Sequence, residues 1–206
     1  RSYSHCRFWR NMGNNIMPII LNGTTGNISG SSLTGITTGK VLQIVSTTKK
    51  DVFSEAISAG GISADITGLT VSITPANASN KIFLMANLSI SGTPSSIMGM
   101  TFYKDSSLLS DAIADAANKS YDGSALRRLA FGQGGGSYDA RDLTGTFNDT
   151  AGGTSAITYS IRLHSIRSDM TVTTFVNRAA DSDEYHSAYP LMARVISTFT
   201  AMEIAA

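Results

Sequence analysis

At 206 residues and 21.7 kDa the chain has the length of one large domain, and a domain of that size buries roughly 70% of its unfolded surface without staples. Charged residues make up only 15%, below the roughly 25% usual for soluble domains, with Gly, Ala, Ser and Thr in their place. The 16 basic and 15 acidic residues are spread along the chain, which argues against nucleic-acid binding. A single cysteine, Cys6, excludes an intrachain disulfide, and no apolar run approaches the roughly 20 residues of a membrane span, so membrane insertion is not expected.

Residues 1–16 hold the only Trp and Cys and follow neither helical nor strand periodicity. They read as an extended arm in which Arg1, Arg7 and Arg10 are surface charges. From Met17 an apolar strand, Ile19–Leu21, runs into the turn signal Asn22-Gly23. Glycines then recur at Gly26, Gly30, Gly35 and Gly39, with Ile28, Leu33 and Ile36 isolated between them. A monomer can bury little with such a stretch, so residues 17–39 read as an anchoring or trimerisation segment, and the main domain as residues 40–206.

Within the main domain, Val41–Val45 predicts a strand followed by a polar stretch. Leu69–Ile73 alternates with period two, and Pro75–Asn80 closes it as a turn. Ile82–Ile90 follows, with Ile82, Leu84, Leu88 and Ile90 facing inward. Met98–Tyr103 is the next strand, and Asp111–Asn118, on its alanines, reads as a short helix or an irregular loop. Leu126–Phe131 reads as a strand and Gly132–Ser137 as a flexible loop. Leu143–Phe147, Ile157–Leu163, Met170–Asn177 and Val195–Ile204 complete the set. Short strands at this spacing predict an all-β, jelly-roll-like sandwich of about 8–10 strands behind an extended N-terminal segment.

The search for chemistry finds little. A nucleophile needs a base oriented beside it, and the histidines are only three. His5 lies in the arm, His164 on the polar phase of a strand, where it reads as a surface or interface residue, and His186 in a polar loop. Metal-ligand spacings are lacking; Asp181, Asp183 and Glu184 are the one candidate for a hard-cation site, and read more simply as a solvated acidic loop. The i, i+4 pair Asp111 and Asp115 reads as solvent-facing. Gly132–Gly136 has no following Lys-Ser/Thr and is not a phosphate loop. Tyr185, His186 and Tyr189, together with Tyr121 and Tyr138, are the candidate partner or receptor contacts. No enzyme activity, no catalytic residue and no cofactor are expected.

From about Gly39 to its end the chain resembles a family of phage virion modules found in marine and cyanobacterial phages. The resemblance rests on Gly39-Lys-Val-Leu-Gln-Ile-Val-Ser, on Thr67-Gly-Leu-Thr-Val-Ser-Ile-Thr-Pro with Ser79-Asn-Lys-Ile, on Thr154-Ser-Ala-Ile-Thr-Tyr-Ser-Ile, and on Ala201-Met-Glu-Ile. Met17-Pro-Ile-Ile-Leu-Asn-Gly is similar to the opening of such fibre or appendage proteins, which makes Met17 a candidate start. The resemblance implies a trimeric jelly roll like the C1q/TNF heads and a place in the virion as a fibre or spike component in host attachment. The implied partners are two further copies of the chain, other virion proteins through the N-terminal segment, and a host surface glycan or protein. A capsid decoration protein or head fibre with no receptor-binding role is the alternative. A depolymerase acting on host glycans would need paired carboxylates across a cleft, and only Asp181–Glu184 offers a close acidic cluster.

Overall fold

The computed structural model describes residues 40–93, 97–113, 140–180 and 195–206 in full, together with the backbone of strands at 20–22, 27–29 and 130–133. The chain divides into two units, Arg1–Thr38 and Gly39–Ala206. The first contains an antiparallel hairpin of β1 (Ile20–Asn22) and β2 (Asn27–Ser29), in which Leu21 faces Ile28.

The second unit is built from β3 (Val41–Lys49), β4 (Phe53–Ile57), β5 (Thr70–Ile73), β6 (Lys81–Gly92), β7 (Ile97–Lys104), β8 (Ser107–Leu108), β9 (Ala130–Gln133), β10 (Arg141–Thr150), β11 (Ile157–Ser165), β12 (Val172–Val176) and β13 (Ser197–Ile204). In the first sheet β10 flanks one side of β6; on the other side β13 and β12 share one column end to end, followed by β3 and β4. In the second sheet β8 and β9 share the column beside β7, followed by β11 and β5. Numbered in chain order, the eight columns pair first with last, second with seventh, third with sixth and fourth with fifth. That nesting is a long antiparallel ribbon rolled up on itself, the jelly roll.

The rolling follows from the period of two. Ile82, Leu84, Ala86, Leu88 and Ile90 all face the core from β6, and Phe199 and Ala201 do so from β13. Met98, Met100 and Phe102 close on them from β7, and Tyr159, Ile161 and Leu163 from β11. Phe102 and Phe199 stack between the sheets with ring centroids 5.4 Å apart. Each such large side chain contributes about 1.5–3 kcal/mol by leaving water. The β7–β8 hairpin turns on Asp105 (φ 48°) and Ser106 (φ 66°), the left-handed pair of a type I′ turn. Asp105 is held there by backbone donation to Thr158 O (2.8 Å) and by accepting from Thr158 N at Oδ1 (2.9 Å).

One end of the sandwich is stapled. Glu203, fully buried on the last strand, accepts from Ala76 N (2.7 Å) and Asn80 Nδ2 (2.6 Å) at Oε1 and from Gln43 Nε2 (2.6 Å) at Oε2. Burial raises its pKa, but bonds from Asn80, Gln43 and the backbone outweigh that and hold it below the ordinary glutamate value. Asn80 also receives Ala206 N and, on its carbonyl, Ala151 N. Beside it Asp149 Oδ2 accepts from Tyr159 Oη (2.6 Å) and Lys104 Nζ (2.8 Å). Burial, then the Asp149 carboxylate, pushes the Tyr159 hydroxyl pKa up. Ala205 N donates to Lys40 O (2.9 Å), so entry into and exit from this unit lie side by side here.

Three readings are revised. The polar stretch after Val45 is strand: β3 continues to Lys49, because Thr48, Thr47 and Ser46 pair with Thr198, Phe199 and Thr200, and β4 follows at once. The segment starting at Asp111 is a single 3-10 turn, Ser110–Ala112, as far as Ile113; residues 114–118 lie outside the described residues. Gly132 and Gln133 belong to β9 rather than to a loop, since they pair with Met98 and Ile97.

Candidate functional site: the outer face of the first sheet

Where Leu84, Ala86, Leu88, Phe199 and Ala201 point inward, the residues between them point out. Registered across β3, β13, β6 and β10, they form rows. Ile44, Met202, Phe83 and Asn148 make one; Ser46, Thr200, Met85 and Thr146 the next; Thr48, Thr198, Asn87 and Thr144 the third. Beyond Ile44, the row of Val41, Ile204, Lys81 and Thr150 closes the near end. Lys81 is the one charged side chain of these four rows, and its Nζ is 2.6 Å from Thr150 Oγ1.

This face holds an open apolar cluster. Ile44 is 61% exposed, Val41 46%, Leu42 41% and Met85 40%, with Phe83, Met202 and Ile204 half-buried. A β-bulge between Glu203 and Ile204 sets Val41 opposite Ile204 and leaves Leu42 unmatched, so two adjacent apolar side chains reach solvent. Hydroxyls and amides frame the apolar rows and satisfy one another across strands: Ser46 Oγ lies 2.9 Å from Thr200 Oγ1, and Thr144 Oγ1 donates to Asn87 Oδ1 at 3.3 Å. An apolar cluster framed by hydroxyls, amides and a single lysine has the composition of a protein–protein interface.

Farther along β6 the same face is covered. Ser89 and Ser91, on the outward phase, are buried. Ser91 Oγ donates to Arg178 O (2.6 Å), and the Arg178 guanidinium stacks over the Phe175 ring at 4.1 Å. The junction of β12 and β13 is tied here. Asn177, buried and left-handed (φ 67°), donates from its own backbone N to Ser89 O and from Nδ2 to Lys49 O (2.9 Å) and Asp51 O (3.0 Å). Its Oδ1 accepts from Ser197 Oγ (2.6 Å), which in turn accepts from Ser89 N (3.0 Å).

The sequence-predicted contacts Tyr121, Tyr138, Tyr185, His186 and Tyr189 lie outside the described residues, as do Asp181, Asp183 and Glu184. His164 is not the surface residue its polar phase suggests. It is 6% exposed and its Nε2 lies 2.6 Å from Thr101 Oγ1, because the second sheet is buried on both faces at this level. Among the described residues no group of His, Cys, Asp and Glu could hold a metal ion. The open apolar face escaped sequence reasoning, although Phe83 and Met85 on the off phase of an inward-alternating strand were its signal.

No family model and no curated protein matches the chain. Solved structures overlap it loosely. The Gx strain of infectious bursal disease virus matches at 13% identity with a TM-score of 0.37, covering 97% of this chain and 46% of that one. The VP2 subviral particle of the same virus gives 12% and 0.37, covering 92% and 42%. The Gt strain gives 11% and 0.37, covering 97% and 47%. The chain therefore spans less than half the length of these proteins, and an overlap this loose leaves function to be argued from its own surface.

Proposed function

We propose that this chain is a non-enzymatic structural protein of a tailed-phage virion, a homotrimeric fibre or spike component that takes part in host attachment. The observation that carries the self-association is the open outer face. Four registered rows hold one charged residue, and their large apolar side chains Ile44, Val41 and Met85 are 61%, 46% and 40% exposed. Such a surface is costly to leave in water, and further copies of the same chain are the partner always present at matching concentration. The resemblance to phage virion modules with trimeric jelly-roll heads supplies the threefold symmetry, and the glycine-punctuated segment before Lys40 supplies the link to other virion proteins.

Light scattering after gel filtration tests this. The wild-type chain is expected near three times 21.7 kDa, and an Ile44→Glu/Met85→Glu variant near 21.7 kDa with an unchanged far-UV spectrum. A wild-type monomer at micromolar concentration would sink the reading. A variant that keeps the wild-type mass would move the interface to another face.

A further inference from the structure

The backbone of the first sheet points outward at both of its edges. Ser89 sets the phase: its carbonyl accepts from Asn177 N and its N–H donates to Ser197 Oγ, both on the β12/β13 side. In an antiparallel ladder a residue turns both backbone groups the same way, and the direction alternates along the strand. Carried through the registers, the odd-numbered residues of β3 bond β13 and those of β10 bond β6. The groups of Ile44, Ser46 and Thr48 on β3, and of Thr144, Thr146 and Asn148 on β10, therefore face away from the sheet. Among the described residues none of these has a backbone hydrogen bond on that side. Edge strands are usually blunted by charge, proline or a bulge. Ile44–Thr48 has neither charge nor proline, and the bulge of this pair lies beyond it, at Glu203/Ile204.

The two edges match each other. β3 runs antiparallel to β13, β13 to β6 and β6 to β10, so β3 and β10 point in opposite directions. β3 of one copy and β10 of the next can thus pair as one further antiparallel ladder. Three outward-facing residues meet three, and full overlap sets Ser46 opposite the neighbour's Thr146. That register brings Lys50 and Asp51, just past β3, level with the neighbour's Asp142 and Arg141. All four are exposed, and both facings are between opposite charges. A seam of β3 with its own copy, centred on Ser46, would instead put Lys50 beside Leu42.

We propose that β3 and β10 form a seam between copies, each chain adding its β3 to the β10 of the next. The seam rests on the self-association argued above and says which strands carry it. Threefold assembly needs a contact between unlike surfaces, which β3 against β10 provides, whereas a seam between like edges closes at two copies. Ile44 serves both contacts, its side chain on the open face and its backbone on the edge.

Within one chain β3 and β10 stand three strand spacings apart, roughly 14 Å. The test is Ser46→Cys/Thr146→Cys on a Cys6→Ser background, treated with a bis-maleimide that spans neighbouring strands but not a whole sheet. A covalent trimer is expected on a denaturing gel, with neither single variant crosslinked. Absence of crosslinking in a variant that keeps the trimer mass in light scattering would overturn the seam and leave the self-association standing. A wild-type monomer would sink both. Crosslinking of Ser46→Cys alone would overturn the seam in favour of twofold pairing. In a second experiment, Lys50→Asp and Asp142→Lys should each weaken assembly about threefold, and the two together should restore it. Additive weakening would equally overturn the proposal, since the charges would then not face each other.

Discussion

The two halves of one sheet face are built on the same alternation and end in opposite states. Along β6, Leu84, Ala86, Leu88 and Ile90 are buried throughout, so the core does not distinguish the halves. What differs is the outward phase. At the near half it carries Phe83, Met85 and Asn87 into solvent or half into it; at the far half it carries Ser89 and Ser91, both buried, with Ser91 bonded to Arg178 O. The half the chain covers for itself is lined with small serines, of which Ser91 bonds the covering backbone at Arg178. The half it leaves open carries the large apolar groups Ile44, Met202, Phe83 and Met85 beside hydroxyls that bond one another. A surface designed for water would have the reverse assignment.

The comparison can be broken most violently at Ser91. Ser91→Asp places an unpaired carboxylate at a site of 0% exposure and should cost about 3–5 kcal/mol, read as a fall in urea midpoint. A carboxylate at Ile44 on the open half should leave monomer stability within about 0.5 kcal/mol. Equal losses at the two positions would mean the open half is covered by this chain's own residues.

Next in size is Glu203→Gln, which removes charge beneath the near half without changing shape. An amide cannot accept on both arms, so one of the donors Gln43, Ala76 or Asn80 is left without its partner, at a cost of about 2–3 kcal/mol at neutral pH. The folded pKa of Glu203 lies below its ordinary value, so the unfolded chain binds the extra proton first. The stabilisation is complete above the ordinary carboxyl range and disappears as pH falls through the folded value. Thermal melts from pH 7 down to pH 3 should therefore converge for wild type and variant. A constant gap down to pH 3 would show that Glu203 acts through packing rather than charge.

The smallest effect is expected from Thr200→Val, which deletes the hydroxyl pair with Ser46 and adds apolar surface to the open half. Chemical denaturation of the monomer should shift by less than about 1 kcal/mol, while self-association tightens. A weaker assembly would show that the hydroxyl frame, rather than the apolar rows, makes the contact.

Much of this fold was legible because a period of two states which side of a strand is wet. Ile82–Ile90 and Ile157–Leu163 were found almost to the residue, as Lys81–Gly92 and Ile157–Ser165. The part that was not legible lies where pairing overrides composition. Ser46-Thr-Thr-Lys has no apolar alternation, yet it is strand because β13 offers it a register and because Lys49, buried, reaches Asp51 at 2.8 Å. His164 took the polar phase of a strand whose outer face is itself buried. The open apolar face went unread for the complementary reason: Phe83 and Met85 sit among inward residues, and a run that is apolar on both phases reads simply as core. The predicted contacts at Tyr121, Tyr138, Tyr185, His186 and Tyr189 rest on residue type alone and lie outside the described residues.

The adjacency of Lys40 and Ala205 bears on how the domain carries load. If tension enters through the segment before Lys40 and is resisted at the far end of the sandwich, β3 is pulled lengthwise against β13. The ladder from Val41–Ile204 to Lys49–Ser197 is then sheared as a whole, and its bonds must fail together. If tension is applied instead between Lys40 and Ala206, the same ladder opens like a zipper from its first pair. One set of hydrogen bonds is thus mechanically strong along the axis leading away from the N-terminal segment and weak across its own two ends.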